Sequence, residues 1–181
     1  MMRTEYEVRF LDVDEKKFIK KLEKAGAVFI GDWFQIRNVY DLDESQDGVQ
    51  RWIRLRTNGE QTTLAIKEIK SDTIDGTGEL EITVSSFDET AAILNKLGFA
   101  PRGRQESKRK SYTLDDVEID IDTWPIIPTY VEIEGKNEQQ IKDVCVKLGL
   151  DYEKACTMGV KDIILKIYKI PKDKIDNVSF N

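Results

Sequence analysis

Along six segments of this 181-residue chain, charged and apolar residues alternate one for one, and the charged residues are sorted by sign. A period of two sends successive side chains to opposite faces of an extended strand. Thr4 to Leu11, Val49 to Thr57, Thr62 to Ile69, Gly78 to Ser85, Val117 to Trp124 and Thr129 to Gly135 are therefore predicted strands. In the first, Glu5, Glu7 and Arg9 share one face and Tyr6, Val8 and Phe10 the other. The division recurs with Arg54 and Arg56 against Ile53 and Leu55, with Lys67 beside Ile66, and with Glu79 and Glu81 against Leu80 and Ile82. Near the end, Glu118, Asp120 and Asp122 oppose Val117, Ile119 and Ile121, and Glu132 and Glu134 oppose Val131 and Ile133.

On any one strand, the plain explanation is a sheet with its charged face in water. Across six strands, a merely wet face would mix Thr, Ser, Gln and Lys, whereas here acids pair along strands and basic residues keep their own rows. Sorting by sign points to a binding surface. Like charges two residues apart repel unless an opposite charge lies between them, so Glu5 and Glu7 with Glu132 and Glu134 suit a hard cation such as magnesium or manganese. Arg9, Arg54, Arg56 and Lys67 need an anion, and the planar fork of arginine matches phosphate oxygens. A metal-bound polyphosphate answers both requirements.

Two less regular stretches, Val28 to Leu42 and Gly103 to Leu114, bring the strands to about eight. Asn58-Gly59 signals a hairpin, Asp115-Asp116 a turn, and Pro125 with Pro128 brackets another, so consecutive strands are expected to be antiparallel neighbours. Helical spacing marks Asp14 to Ala25, Asp88 to Leu97 and Glu138 to Leu148, with Asp14, Asp88 and Asn137 as N-caps and Gly26, Gly98 and Gly149 after their ends. The expected fold is α+β: one domain over residues 1–181, a closed eight-stranded antiparallel tunnel with a charged interior and helices packed on its apolar outside. Ala155 to Ile170 is expected to be helical, and the polar stretch from Lys172 onward to be a loose tail.

Composition narrows the chemistry. The chain has no histidine, which removes Ser-His-Asp and Cys-His catalysis and the usual zinc and non-haem iron sites, so any metal should be bound by oxygen. Cys145 and Cys156 fit no zinc spacing and are expected to be structural. A net charge of −6 argues against general nucleic-acid binding. With no apolar leader and no run long enough to span a bilayer, a cytoplasmic protein without membrane contact is the expectation. Tyr40, Tyr112, Trp33, Trp52 and Trp124 are expected to pack.

At these residues the sequence resembles the CYTH superfamily, the triphosphate tunnel metalloenzymes, which include class IV adenylate cyclases, thiamine triphosphatases and inorganic triphosphatases. Glu5-Tyr6-Glu7-Val8-Arg9 matches the family's Glu-x-Glu-x-Lys signature except that arginine replaces lysine. Arg54-Leu55-Arg56, Lys67 and Glu79-Leu80-Glu81 resemble the next three strand motifs. Arg109, three residues before Tyr112, resembles a basic phosphate ligand, with Lys108 and Lys110 as its competitors for the interior. Asp122 and Val131-Glu132-Ile133-Glu134 resemble the closing acidic motifs.

The resemblance implies that Glu5, Glu7, Glu132 and Glu134 hold Mg2+ or Mn2+, and that Arg9, Arg54, Arg56, Lys67 and Arg109 hold the triphosphate. Glu79, Glu81 and Asp122 become unranked candidates for the catalytic acid–base role. Arg9 cannot be tuned toward neutrality as lysine can, so it is expected to hold phosphate and not to accept a proton. A triphosphatase acting on ATP, thiamine triphosphate or tripolyphosphate is the leading expectation. The alternatives are a class IV-type cyclase making cyclic AMP, a weakly catalytic polyphosphate sensor, and a non-enzymatic β domain. A homodimer is the general prior for a small enzyme.

Overall fold

The computed structural model describes residues 2–42 and 49–180. Eight strands form: β1 (Arg3–Phe10), β2 (Val28–Asp41), β3 (Gln50–Thr57), β4 (Thr62–Ile69), β5 (Thr77–Val84), β6 (Gly103–Leu114), β7 (Val117–Trp124) and β8 (Ile127–Gly135). They close into an antiparallel barrel in the order β1-β5-β4-β3-β2-β6-β7-β8. The expected eight-stranded tunnel is thus present.

Turn chemistry explains the hairpins. Asn58 Oδ1 accepts hydrogen bonds from the backbone N–H groups of Glu60 and Gln61, and Gly59 takes a φ of 89° between β3 and β4. Asp115 and Asp116 both adopt positive φ, 53° and 63°, the pattern of a type I′ turn that matches the twist of β6 and β7.

Consecutive strands are not all neighbours, however. β1 lies between β5 and β8, and β2 lies between β3 and β6. The two exceptions are the links that contain helices. Helix α1 (Glu15–Ala25) has 11 residues, making it about 16 Å long, or roughly three strand spacings of about 4.8 Å. It carries the chain around the outside from β1 to β2, and α2 (Phe87–Lys96) does the same from β5 to β6. The links without such a helix join adjacent strands.

Asp14 caps α1 through its side chain and Asn137 caps α3 (Glu138–Lys147), as expected. The cap of α2 is Ser86, not Asp88: Ser86 and Glu89 stand at capping-box spacing, and Asp88 falls in the first turn, where the helix dipole favours an acid.

The apolar outside is the core. Phe18 and Leu22 of α1, Ile141 and Val144 of α3, and Leu148 just past its end pack on Val8, Ile119, Ile121, Val131 and Ile133. Leu94 of α2 packs on Tyr40, Ile53 and Leu55. Helix cover is incomplete, since Ile66, Leu80 and Ile82 on β4 and β5 remain exposed.

The chain after β8 departs most from expectation. Past a single 3-10 turn, Tyr152–Lys154, it runs extended, and Cys156 bridges to Arg9 of β1. Only then do a helical turn, α4 (Val160–Asp162), and a π-helical stretch, Ile163–Ile167, follow. The end is not a loose tail. Helix α5 (Asp173–Asp176) leads to Val178, which pairs with Gln105, and both Ile175 and Val178 are buried. Gly103 shows how close the approach is, because a Cβ there would stand 1.7 Å from the carbonyl oxygen of Asp176. Two apolar residues at the right spacing are enough to anchor this otherwise polar stretch. Residue 181 lies outside the described residues. Among those described, no helix is long and apolar enough to cross a membrane.

Candidate active site

The inward faces of all eight strands enclose a cavity of about 820 Å³. It is lined by each of the charged residues singled out above: Glu5, Glu7 and Arg9 from β1, Arg54 and Arg56 from β3, Lys67 from β4, Glu79 and Glu81 from β5, Arg109 from β6, Asp122 from β7, and Glu132 and Glu134 from β8. Strand order explains the opposition of charge. In an eight-membered ring, β3 and β4 stand half a turn from β8 and β7, so the Arg54, Arg56 and Lys67 row faces the row of Asp122, Glu132 and Glu134.

Within the tunnel the two signs pair. The Nη2 of Arg9 lies 2.8 Å from Glu7 Oε2 and 2.6 Å from Glu132 Oε2, and its Nη1 donates to the Met158 carbonyl at 3.0 Å. Arg54 Nη2 reaches Glu79 at 2.6 Å and Glu81 at 2.8 Å. Lys67 Nζ is 2.8 Å from Glu5. Arg109 forks onto Asp122 through Nε and Nη2 at 2.8 and 2.6 Å, and also contacts Asp120 and Glu132. Its neighbours turn away: Lys108 lies over the Phe180 ring, and Lys110 pairs outside with Glu15 and Asp32. Arg109 is therefore the basic residue of β6 that enters the tunnel.

Pairing is not complete. The Nε atoms of Arg9 and Arg54 are buried with no acceptor, and Glu5 Oε2 accepts no hydrogen bond of good geometry despite the nearby lysine. Buried polar atoms left like this cost stability unless something fills the space between them.

The CYTH domain model matches residues 3–155, most of the chain. This chain belongs to the CYTH family. A search of curated proteins returns no match. Among solved structures, the PH1012 protein from Pyrococcus horikoshii is 24% identical with a TM-score of 0.72, covering 86% of this chain and 96% of its own. A Vibrio parahaemolyticus protein named as a candidate adenylate cyclase is 12% identical with a TM-score of 0.72, covering 91% and 99%. A Hippeastrum protein described as having a dominant triphosphatase activity is 14% identical with a TM-score of 0.57, covering 97% and 100%. These likenesses establish the shared fold.

The CYTH tunnel here also contains residues that alternation did not expose: Gln35 and Arg37 on β2, Gln105 and Ser107 on β6, and Tyr130 on β8. Among the described residues Arg37 has uncharged partners, donating from Nε to Gln105 Oε1 at 2.8 Å with its Cζ 4.1 Å above the Trp124 ring. The inward set of β2 was detectable as Gln35, Arg37 and Val39 at a spacing of two. Its outward set mixes Asn38 with Ile36, which blurred the period. Tyr40 and Tyr112 pack in the core as expected, and Trp52 lines the cavity.

Crowding of like charges shows in proton affinities. Burial, helped by the neighbouring Glu79 and Glu7, pushes Glu5 up to about 8 against the pull of Lys67. Burial and then Glu132, Glu118 and Glu7 push Glu134 up to about 7. Burial likewise raises Asp120 to about 6. Burial works on Glu79 too, but its hydrogen bond with Glu5 and the guanidinium of Arg54 prevail and hold it at about 2. Glu5 therefore keeps the proton that the two share.

Glu5 and Glu134 stay protonated in the folded chain over a range where the unfolded chain, near 4.5, has released its protons. The folded state binds more protons there, so its stability is greatest below about pH 4.5 for these groups and falls as pH rises toward 7 and 8. Denaturant unfolding of the ligand-free protein from pH 5 to 8 should show a decline on the order of 1 kcal/mol per pH unit for each titrating group. Glu134→Gln should remove its share of the decline and leave that of Glu5. A flat profile in the parent protein would show that these carboxylates are solvated.

Proposed function

We propose that this chain is a divalent-metal-dependent enzyme acting on a small molecule that carries a triphosphate, and that its reaction is hydrolysis of a phosphoanhydride bond. The observation that carries this is the pair of buried, acceptorless arginine Nε atoms inside a closed tunnel of opposed charge. An anion with many oxygens satisfies such donors, and a bidentate arginine contact with phosphate is their preferred geometry. Membership of the CYTH family and the Hippeastrum triphosphatase on the same fold support the reading.

Arg54, Arg56, Lys67, Arg109 and Arg9 would hold phosphate oxygens. Glu5, Glu7, Glu132 and Glu134 would hold the metal: their donors are all carboxylate oxygens, which fit Mg2+ or Mn2+, and Glu5 Oε2 is buried against Lys67 without a well-formed hydrogen bond. No group of three or more acidic or thiol side chains stands at metal-holding spacing among the described residues, and Arg9 and Lys67 pair with three of the four carboxylates. A cation held there would supply charge neutralisation at the phosphate oxygens.

The chain's own residues do the rest. Phosphate oxygens compete with Glu79 and Glu81 for Arg54, and with Asp122 for Arg109. Substrate entry thereby frees carboxylates beside the phosphate chain to orient a water and take its proton. Arg9 stays charged throughout and serves as a phosphate and carboxylate clamp. Hydrolysis is favoured over cyclisation because it asks nothing of the group attached to the triphosphate.

Incubating the purified protein with tripolyphosphate, ATP and thiamine triphosphate in Mg2+ or Mn2+ tests this directly. Metal-dependent phosphate release is expected. Cyclic AMP with pyrophosphate would replace hydrolysis by cyclisation, and tight binding without turnover would make the protein a sensor.

A further inference from the structure

Arg37 differs from the other guanidinium groups lining the tunnel. Arg9, Arg54, Arg56 and Arg109 each have a carboxylate within ion-pair distance, whereas among the described residues Arg37 has none. Its position makes this costly. Arg37 and Arg56 are direct cross-strand partners in the β2–β3 register, and both project into the cavity. Like charges directly opposite one another destabilise a sheet. The nearest acid to Arg56, Glu81, is 3.7 Å away and is already held by Arg54.

Despite that cost, Arg37 is held in one orientation. Gln105 takes its Nε–H, the Trp124 ring lies under its plane, and Gln105 Nε2 in turn donates to the Ile175 carbonyl at 2.7 Å. Ile175 belongs to the C-terminal segment beyond residue 155, where the CYTH match ends. A guanidinium fixed through its Nε and its face leaves its outer amino groups for a ligand. Aimed beside a second arginine, it is arranged for an anion.

We propose that Arg37 and Arg56 form a phosphate subsite of the tunnel, with Gln105, fixed by the C-terminal segment, as the positioning residue for Arg37. The subsite takes one phosphate group of the triphosphate, so it rests on the function proposed above and deepens it. It also gives the C-terminal segment a role in substrate binding that a match ending at residue 155 does not contain.

The test is titration of tripolyphosphate, in Mg2+, into the parent protein, Arg37→Gln, Arg37→Lys, Gln105→Leu and the Arg37→Gln/Gln105→Leu double variant, with the ligand-free melting temperature of each. Arg37→Gln should weaken tripolyphosphate binding about 10- to 100-fold, the loss expected of charge-assisted hydrogen bonds. It should leave ligand-free melting unchanged or raised, because it removes an unpaired like charge. Arg37→Lys keeps the charge without the fork and should fall between. Gln105→Leu should weaken binding in the parent background and have little further effect once Arg37 is Gln, as coupling through Arg37 requires.

Parent-like affinity in Arg37→Gln overturns the subsite. So does lowered ligand-free melting with affinity kept, which would make Arg37 structural. If Arg37→Gln does not fold, parent-like affinity in Arg37→Lys overturns it instead. Weakened binding of added orthophosphate, with tripolyphosphate binding unchanged, would overturn it in favour of a free-phosphate site. If the parent protein does not bind tripolyphosphate at all, the proposed function fails with it. Binding by the parent with no effect of Arg37 fails the subsite alone.

Discussion

Arg109→Leu should lower the unfolding free energy of the ligand-free protein by about 3–5 kcal/mol, the usual cost of removing one partner from a buried ion pair. Three carboxylates meet at this one guanidinium: Asp122 through two hydrogen bonds, Asp120 through one ion pair, and Glu132, which Arg9 also holds, through another. Asp120 and Glu132 are direct partners in the β7–β8 register, so leucine would leave Asp120 buried beside a second acid with no cation of its own, and Glu132 held by Arg9 alone. Denaturant melts at neutral pH read the loss. It should shrink toward pH 4, where Asp120, which burial raises to about 6, has gained its proton. A loss below about 1 kcal/mol would mean that the interior charges behave like surface pairs.

Arg54→Met should reduce tripolyphosphate turnover by about 100- to 1000-fold, the range seen when one preorganised donor to a developing anion is removed. Arg54 stands between Glu79 and Glu81 with its Nε aimed at no protein acceptor. It is the basic side chain best placed to exchange carboxylate for phosphate. Lys110→Met is the control, since Lys110 carries charge on the same strand as Arg109 but spends it outside on Glu15 and Asp32. It should leave turnover unchanged. Equal losses from the two variants would mean that charge on the protein matters more than its place in the tunnel.

The strands and the charged interior were legible because a half-buried strand cannot hide its period. Thr62–Ile69, Gly103–Leu114 and Val117–Trp124 have the same bounds in sequence and structure. Which strands meet was less legible. A hairpin turn identifies its two strands, but nothing local in Glu15–Ala25 says how far around a barrel that helix travels. The direction of Arg109, and not Lys108 or Lys110, became certain only with its register against Asp122. Arg37 was missed for a related reason: its strand lacks clean alternation, and its partners, Gln105 and Trp124, are uncharged residues whose meaning depends on the closed barrel. The end of the chain was misjudged because two anchors, Ile175 and Val178, are too few to mark a period.

Calorimetric titration of tripolyphosphate into the protein, with and without Mg2+ or Mn2+, tests most directly whether the tunnel holds a triphosphate and metal together. Saturable binding that strengthens at least tenfold with the metal, and is lost in Glu5→Gln/Glu7→Gln, is the expected result. Binding that ignores both the metal and those two carboxylates, or no binding at all, would contradict it.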